Sequence, residues 1–186
     1  AEIPDKVEVL VEKESHPIGS NARVRIVPPG PGELMIAVAG DRIYETRSLS
    51  VTGTEATIDV AVSADWGPGA YVLASWYRPL NQGKPRDPLR AVGLAWIGVD
   101  TSDRQLEVEL GAPEKMQPET ALSVPVTVKG LAAGESAFVT LAAVDEGILQ
   151  LTRFASPDPV QHYFGKRRLG VDYRDDYGRL LDGNAG

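Results

Sequence analysis

Glycine and proline recur so often along this chain that many short strands are favoured over long helices. The 19 Gly and 14 Pro among 186 residues bound strand-sized segments about every ten residues, the rhythm of a β-sandwich. Val7, Val9 and Val11 alternate with Glu8 and Glu12 in the first segment, residues 7–12. His16-Pro17-Ile18-Gly19 reads as a turn into 22–27, and Pro28-Pro29-Gly30-Pro31-Gly32 as a loop that cannot join a ladder. Segments 33–39 and 42–51 follow, joined by Gly40-Asp41, a pair suited to a tight primed turn. Strands at 56–62, 69–78 and 89–99 complete a set of seven in about 100 residues, the count of an immunoglobulin-like sandwich.

Residues 100–104 are short, polar and unpatterned, which places a domain boundary there and divides the chain into 1–100 and 101–186. Alternation then restarts at 105–110, where Leu106, Val108 and Leu110 interleave with charged or polar residues. It continues at 121–128 and 136–144. Asp145 is expected to cap a short helical turn through Leu151. Ser156-Pro157-Asp158-Pro159 supplies an N-cap and a helix-starting proline for a helix to Phe164 that stops at Gly165. Three strands cannot close a sandwich, so the remaining strands of the second domain are expected beyond Gly186. The predicted class is all-β: tandem immunoglobulin or fibronectin-III-like sandwiches, the second incomplete and followed by a short helix and an irregular tail.

Composition narrows function. With 42% hydrophobic residues there is enough apolar material for a core, and a net charge of −7 without basic patches argues against nucleic acid as a partner. The absence of cysteine removes disulfides, thiolate metal sites and a cysteine nucleophile. The longest apolar run, 91–99, is of strand length rather than the ~20 residues of a membrane helix. The first residues lack the basic and apolar regions of a signal peptide, so the chain is expected to be a mature piece of a longer protein.

Three stretches resemble one family. They are Trp66-Gly67-Pro68-Gly69-Ala70-Tyr71-Val72-Leu73, then Ala91-Val92-Gly93-Leu94-Ala95-Trp96-Ile97-Gly98-Val99-Asp100, then 142–181, with AAVDEGILQLTRF followed by PDPVQHYFGKRRLGVDYRDDYGRLL. These resemble the macroglobulin-like domains that flank the bait region in bacterial α2-macroglobulins. The resemblance implies a non-enzymatic protease trap: an exposed bait segment is cut, the molecule rearranges, and the protease is caught. It implies target proteases and other domains of the parent chain as partners, no small-molecule cofactor, and a periplasmic location, with an inner-membrane anchor on the parent as an option. Many members capture covalently through a Cys–Gln thioester, and this segment holds no cysteine to form one. A bait region inserted into a macroglobulin-like domain fits a second domain interrupted after three strands.

The leading site candidates are Lys166, Arg167 and Arg168, with Arg174 and Arg179 further on and Arg153 nearby. Trypsin-like proteases need an accessible Lys or Arg in extended, unpaired backbone, and the tail at about 155–186 has no apolar period to anchor it. First cuts are therefore expected between Lys166 and Arg179. The plain alternative is a solvated charge face in which these cations meet Asp172, Asp175 and Asp176, as surface charges usually do. Those acids with His162 match no calcium-loop spacing, and one histidine does not make a zinc site. His16 sits beside Pro17 with no G-x-S-x-G in the chain, Asp145-Glu146 is explained by helix capping, and Gly30-Pro31-Gly32 lacks the residues of a phosphate loop. Trp66, Trp76 and Trp96 read as core or inter-domain residues before they read as a sugar platform. A tandem immunoglobulin-like adhesion or ligand-binding module is the alternative function, and an accessory domain of a polysaccharide-degrading enzyme a third.

Overall fold

The structure is a computed structural model that describes residues 6–79, 88–117 and 119–174. The described residues of Ala1–Asp100 and Tyr163–Gly186 cluster as one compact unit, and Thr101–His162 as a second.

In the first unit all seven expected strands form, together with one extra short pairing. The strands are β1 (Glu8–Val11), β2 (Ser15–His16), β3 (Asn21–Val27), β4 (Gly32–Ala39), β5 (Ile43–Val51), β6 (Ala56–Ala61), β7 (Gly69–Tyr77) and β8 (Arg90–Val99). Two sheets face each other: three strands in the order β1-β3-β6, and five in the order β2-β8-β7-β4-β5. Period-two alternation decides which side chains enter the core. Ala22, Val24 and Ile26 of β3 are buried while Asn21, Arg23 and Arg25 are exposed. Opposite them, Leu34, Ile36 and Val38 of β4 and Val72, Ala74 and Trp76 of β7 fill the inner face of the larger sheet. Leu34 pairs in register with Trp76, which pairs in turn with Ala91 of β8. Each fully buried aliphatic side chain contributes about 1.5–3 kcal/mol relative to exposure.

The N-terminal segment ties the two sheets together. Lys6 bridges Val92 in parallel and the Val7 amide donates to the Val92 carbonyl at 3.0 Å. The chain then crosses to pair β1 antiparallel with β3, and returns to lay β2 parallel along the C-terminal end of β8. Two glycines of β8 permit these approaches: a Cβ on Gly93 would stand 1.9 Å from the Val7 carbonyl oxygen, and one on Gly98 2.5 Å from that of Glu14. His16, expected in a turn, is therefore a buried strand residue whose backbone pairs with the end of β8. Its Nδ1 has no hydrogen-bond partner. Burial, and next the positive charge of Lys13, lower its pKa below 6.5.

The second unit has a two-stranded antiparallel ladder, β9 (Glu107–Leu110) with β10 (Val126–Lys129), in which Val108 faces Val128. Two differences from the sequence expectation stand out. Residues 136–144 form no strand, because alternation alone does not make a ladder and no neighbouring strand receives them; Phe138 is fully exposed. The expected strand at 121–128 is reduced to β10, which begins at Val126, after Pro125. No apolar side chain among the described residues of this unit is buried. Helix α1 (Glu146–Thr152) starts as expected, with the Asp145 carboxylate accepting from the Ile148 amide at 3.2 Å. It ends at Arg153, which takes the left-handed conformation at φ 52°. Helix α2 (Pro159–Phe164) begins two residues later than Ser156-Pro157 suggests. Asp158 is its cap, accepting from the Gln161 amide at 2.9 Å, and Pro159 takes the first helical position.

Candidate functional site

Seven of the nine β7 residues are buried, on both faces of the strand. A strand apolar on both sides needs cover on both. The other sheet covers Ala70, Val72, Ala74 and Trp76. Across the opposite, outer face runs the backbone of residues 166–173, the basic tail that the sequence leaves without an anchor. Its hold comes from individual contacts rather than from a period. The Tyr71 hydroxyl donates to the Arg167 carbonyl at 2.7 Å. The Gly170 amide donates to the Gly40 carbonyl at 2.8 Å, at the turn between β4 and β5. The Tyr173 and Ser75 hydroxyls share a hydrogen bond of 3.0 Å. The strap therefore passes over the start of β7, touches the β4–β5 turn, and returns toward the middle of β7.

Charge and shape add to this. Lys166 Nζ lies 5.5 Å from the Tyr71 ring centroid and 6.0 Å from that of Trp96, within cation–π reach of both. The two rings meet edge to face at 4.9 Å. Trp96 is thus half-buried on the outer face under the strap rather than in the core; Trp76 and Trp66 are the buried tryptophans, at 2% and 6% exposure. The Arg167 guanidinium donates to the Tyr163 carbonyl at 3.3 Å. A Cβ on Gly170 would stand 2.9 Å from Asp41 Cα and 3.0 Å from the Gly40 oxygen, so the close seat requires glycine. Val171 and Tyr173 wall an apolar cavity of about 130 Å³ against Met35, Ala37, Ile43 and Leu73.

The receiving turn is itself braced. It has no left-handed residue and so is not the primed turn that Gly40-Asp41 suggests; the Gly40 amide instead donates to the Arg42 carbonyl at 2.9 Å. Tyr44 donates to Asp41 Oδ1 at 2.8 Å. That bond holds the Asp41 carboxyl below its ordinary pKa, while burial first, and Asp41 second, raise the Tyr44 phenol above its own.

Of the residues singled out from the sequence, Lys166, Arg167 and Arg168 lie on the strap with exposed side chains, and Arg174 just past it is also exposed. Arg153 belongs to the second unit. Arg179, Asp175 and Asp176 lie outside the described residues. Among the described residues no three Asp, Glu or His side chains gather where one ion would hold them. The residues the sequence reading missed are Tyr71, Ser75 and Gly40, which receive the strap, and Gly170 within it. The apolar character of Ala70–Tyr77, interrupted by Ser75, was the signal that this strand is covered on both faces.

The chain matches the family model of the alpha-2-macroglobulin bait region domain over residues 7–151. It is 37% identical to an alpha-2-macroglobulin of Xylella fastidiosa over 98% of its own length, and 28% identical to that of Escherichia coli over 98%. It spans 11% of the length of each. Among solved structures it is similar to Salmonella alpha-2-macroglobulin reacted with methylamine, with a TM-score of 0.71 and 27% identity, covering 91% of this chain and 11% of that one. The native conformation of E. coli alpha-2-macroglobulin shares the fold, with a TM-score of 0.72 and 22% identity over 97% of this chain and 13% of that one. A family model matched over most of the chain, joined to a sandwich seen in solved relatives, makes this chain a member of the bacterial alpha-2-macroglobulin family.

Proposed function

We propose that the chain is a non-catalytic scaffold, and the segment leading into the bait region, of a broad-spectrum protease trap that works in the periplasm. The observation that carries this is the match to a bait region domain over residues 7–151, with the basic residues Lys166, Arg167 and Arg168 further along the chain. The closed sandwich supports the scaffold role, because its two sheets pack over a filled apolar core. Lys166, Arg167, Arg168, Arg174 and Arg179 are the candidate bonds for trypsin-like targets. The periplasmic location belongs to the same proposal, since a trap must meet the foreign proteases it catches.

The test uses the intact parent protein and trypsin. A trap that has been cut and has rearranged holds the protease behind a steric barrier, so the mixture should keep cleaving a small amide substrate while losing activity on a large protein. Cleavage of the parent with no retained protease, and equal activity on both substrates, would reject the reading. A ligand-binding module would instead resist cutting throughout.

A further inference from the structure

We infer that residues 166–173 are a docked strap that closes the Lys166-Arg167-Arg168 site to trypsin-like proteases, so that cleavage there requires the strap to leave the sheet. The inference deepens the site reading above but rests on this chain's own contacts, and holds whether or not the parent is a trap.

A serine protease draws its substrate in as an extended strand, pairs with its backbone, and receives the carbonyl of the bond to be cut in an oxyanion hole. Each of the three bonds here conflicts with that requirement. For cleavage after Arg167, the carbonyl under attack is the one that Tyr71 already holds at 2.7 Å. For cleavage after Arg168, the second residue beyond the bond is Gly170, whose amide is committed to the Gly40 carbonyl at 2.8 Å. For cleavage after Lys166, the ammonium that must enter the specificity pocket lies over the Tyr71 and Trp96 rings, and the next carbonyl is again that of Arg167. The side chains are exposed, which invites a protease, but the backbone is engaged. Exposure of the side chain and availability of the bond are separate properties, and the strap separates them.

Such a site is cut only from an opened state, at a rate scaled by the population of that state. Release needs no unfolding of the sandwich, because the described contacts that the strap makes to the sandwich are to the outer face or to the β4–β5 turn. It uncovers Tyr71, Ser75 and the apolar cavity wall in one step. The strap is therefore a proteolysis site held in reserve, opened by whatever displaces it from that face.

Timed trypsin digestion of the 186-residue chain, with mass spectrometry of early products, tests this against a synthetic peptide of residues 163–174. Bonds after Lys166, Arg167 and Arg168 in the folded chain should be cut on the order of a hundredfold more slowly than in the peptide. Tyr71→Phe keeps the ring against Trp96 and removes only the hydroxyl, and should speed these cuts about fivefold to tenfold. Gly170→Ala, which alters the strap and leaves the sandwich untouched, should speed them by about tenfold. Cutting at Arg23 and Arg25, on the opposite sheet, should not change in either variant, which reports an intact sandwich. Cleavage of the native chain at the peptide's rate would overturn the inference, as would unchanged rates in both variants.

Discussion

Gly93→Ala probes the contact on which closure of the sandwich depends. The new methyl would stand 1.9 Å from the Val7 carbonyl oxygen and 2.8 Å from its carbon, both backbone atoms. Neither moves without moving the chain, so the N-terminal segment must back away from β8 by well over an ångström. That breaks the 3.0 Å bond from the Val7 amide to the Val92 carbonyl, worth about 0.5–1.5 kcal/mol net. It also lifts Val7, which is wholly buried, out of the core, at up to about 1.5–3 kcal/mol. Replacing glycine returns about 0.4–1 kcal/mol by restricting the unfolded chain. The balance is a loss of about 2–3 kcal/mol. For a domain of this size each kcal/mol moves the melting temperature by about 4–8 °C, so a drop of about 10–20 °C is expected. Tryptophan fluorescence is a suitable readout, since the three tryptophans, Trp66, Trp76 and Trp96, all lie in this unit. The cost of Gly93→Ala should shrink in a Val7→Ala background, because both changes remove the same packing. An unchanged melt, or full additivity with Val7→Ala, would refute the close approach.

Trp76→Ala should cost about 3–5 kcal/mol in chemical denaturation, whereas Trp96→Ala should cost clearly less and chiefly speed trypsin cleavage at the strap; equal losses would contradict the assignment of their faces. His16 should make the sandwich pH-sensitive. Its folded pKa lies below 6.5, so as pH falls through that value the unfolded chain takes up a proton that the folded one does not, and stability declines until the folded value is reached. Melting curves of His16→Gln should lose the slope that sets in as pH falls below about 6.5, and a slope identical to the parent's would assign it elsewhere. A fragment of residues 101–162 should show no cooperative melt by circular dichroism, since its described ladder has two strands and buries no apolar side chain. A sharp transition in that fragment would show a core that the described residues lack.

Alternation of side chains and the turn residues between segments were enough to locate seven strands in the first hundred residues. The cap at Asp145 was equally legible. These features are local: a period of two, or a carboxylate within three residues of the amide it binds, is written in adjacent positions. The start of α2 was legible only in kind, because Ser156-Pro157 and Asp158-Pro159 carry the same signal and the Gln161 amide selects the second. Residues 136–144 show that alternation is permission rather than proof, since a strand also needs a partner edge. The parallel seat of His16 and the docking of 166–173 belonged to tertiary structure alone. Tyr71 and Arg167 are 96 residues apart, and Ser75 and Tyr173 98. A few contacts of that span leave no period in the sequence. They exist only once two sheets have closed and an outer face, apolar enough to need cover, stands ready to receive the chain.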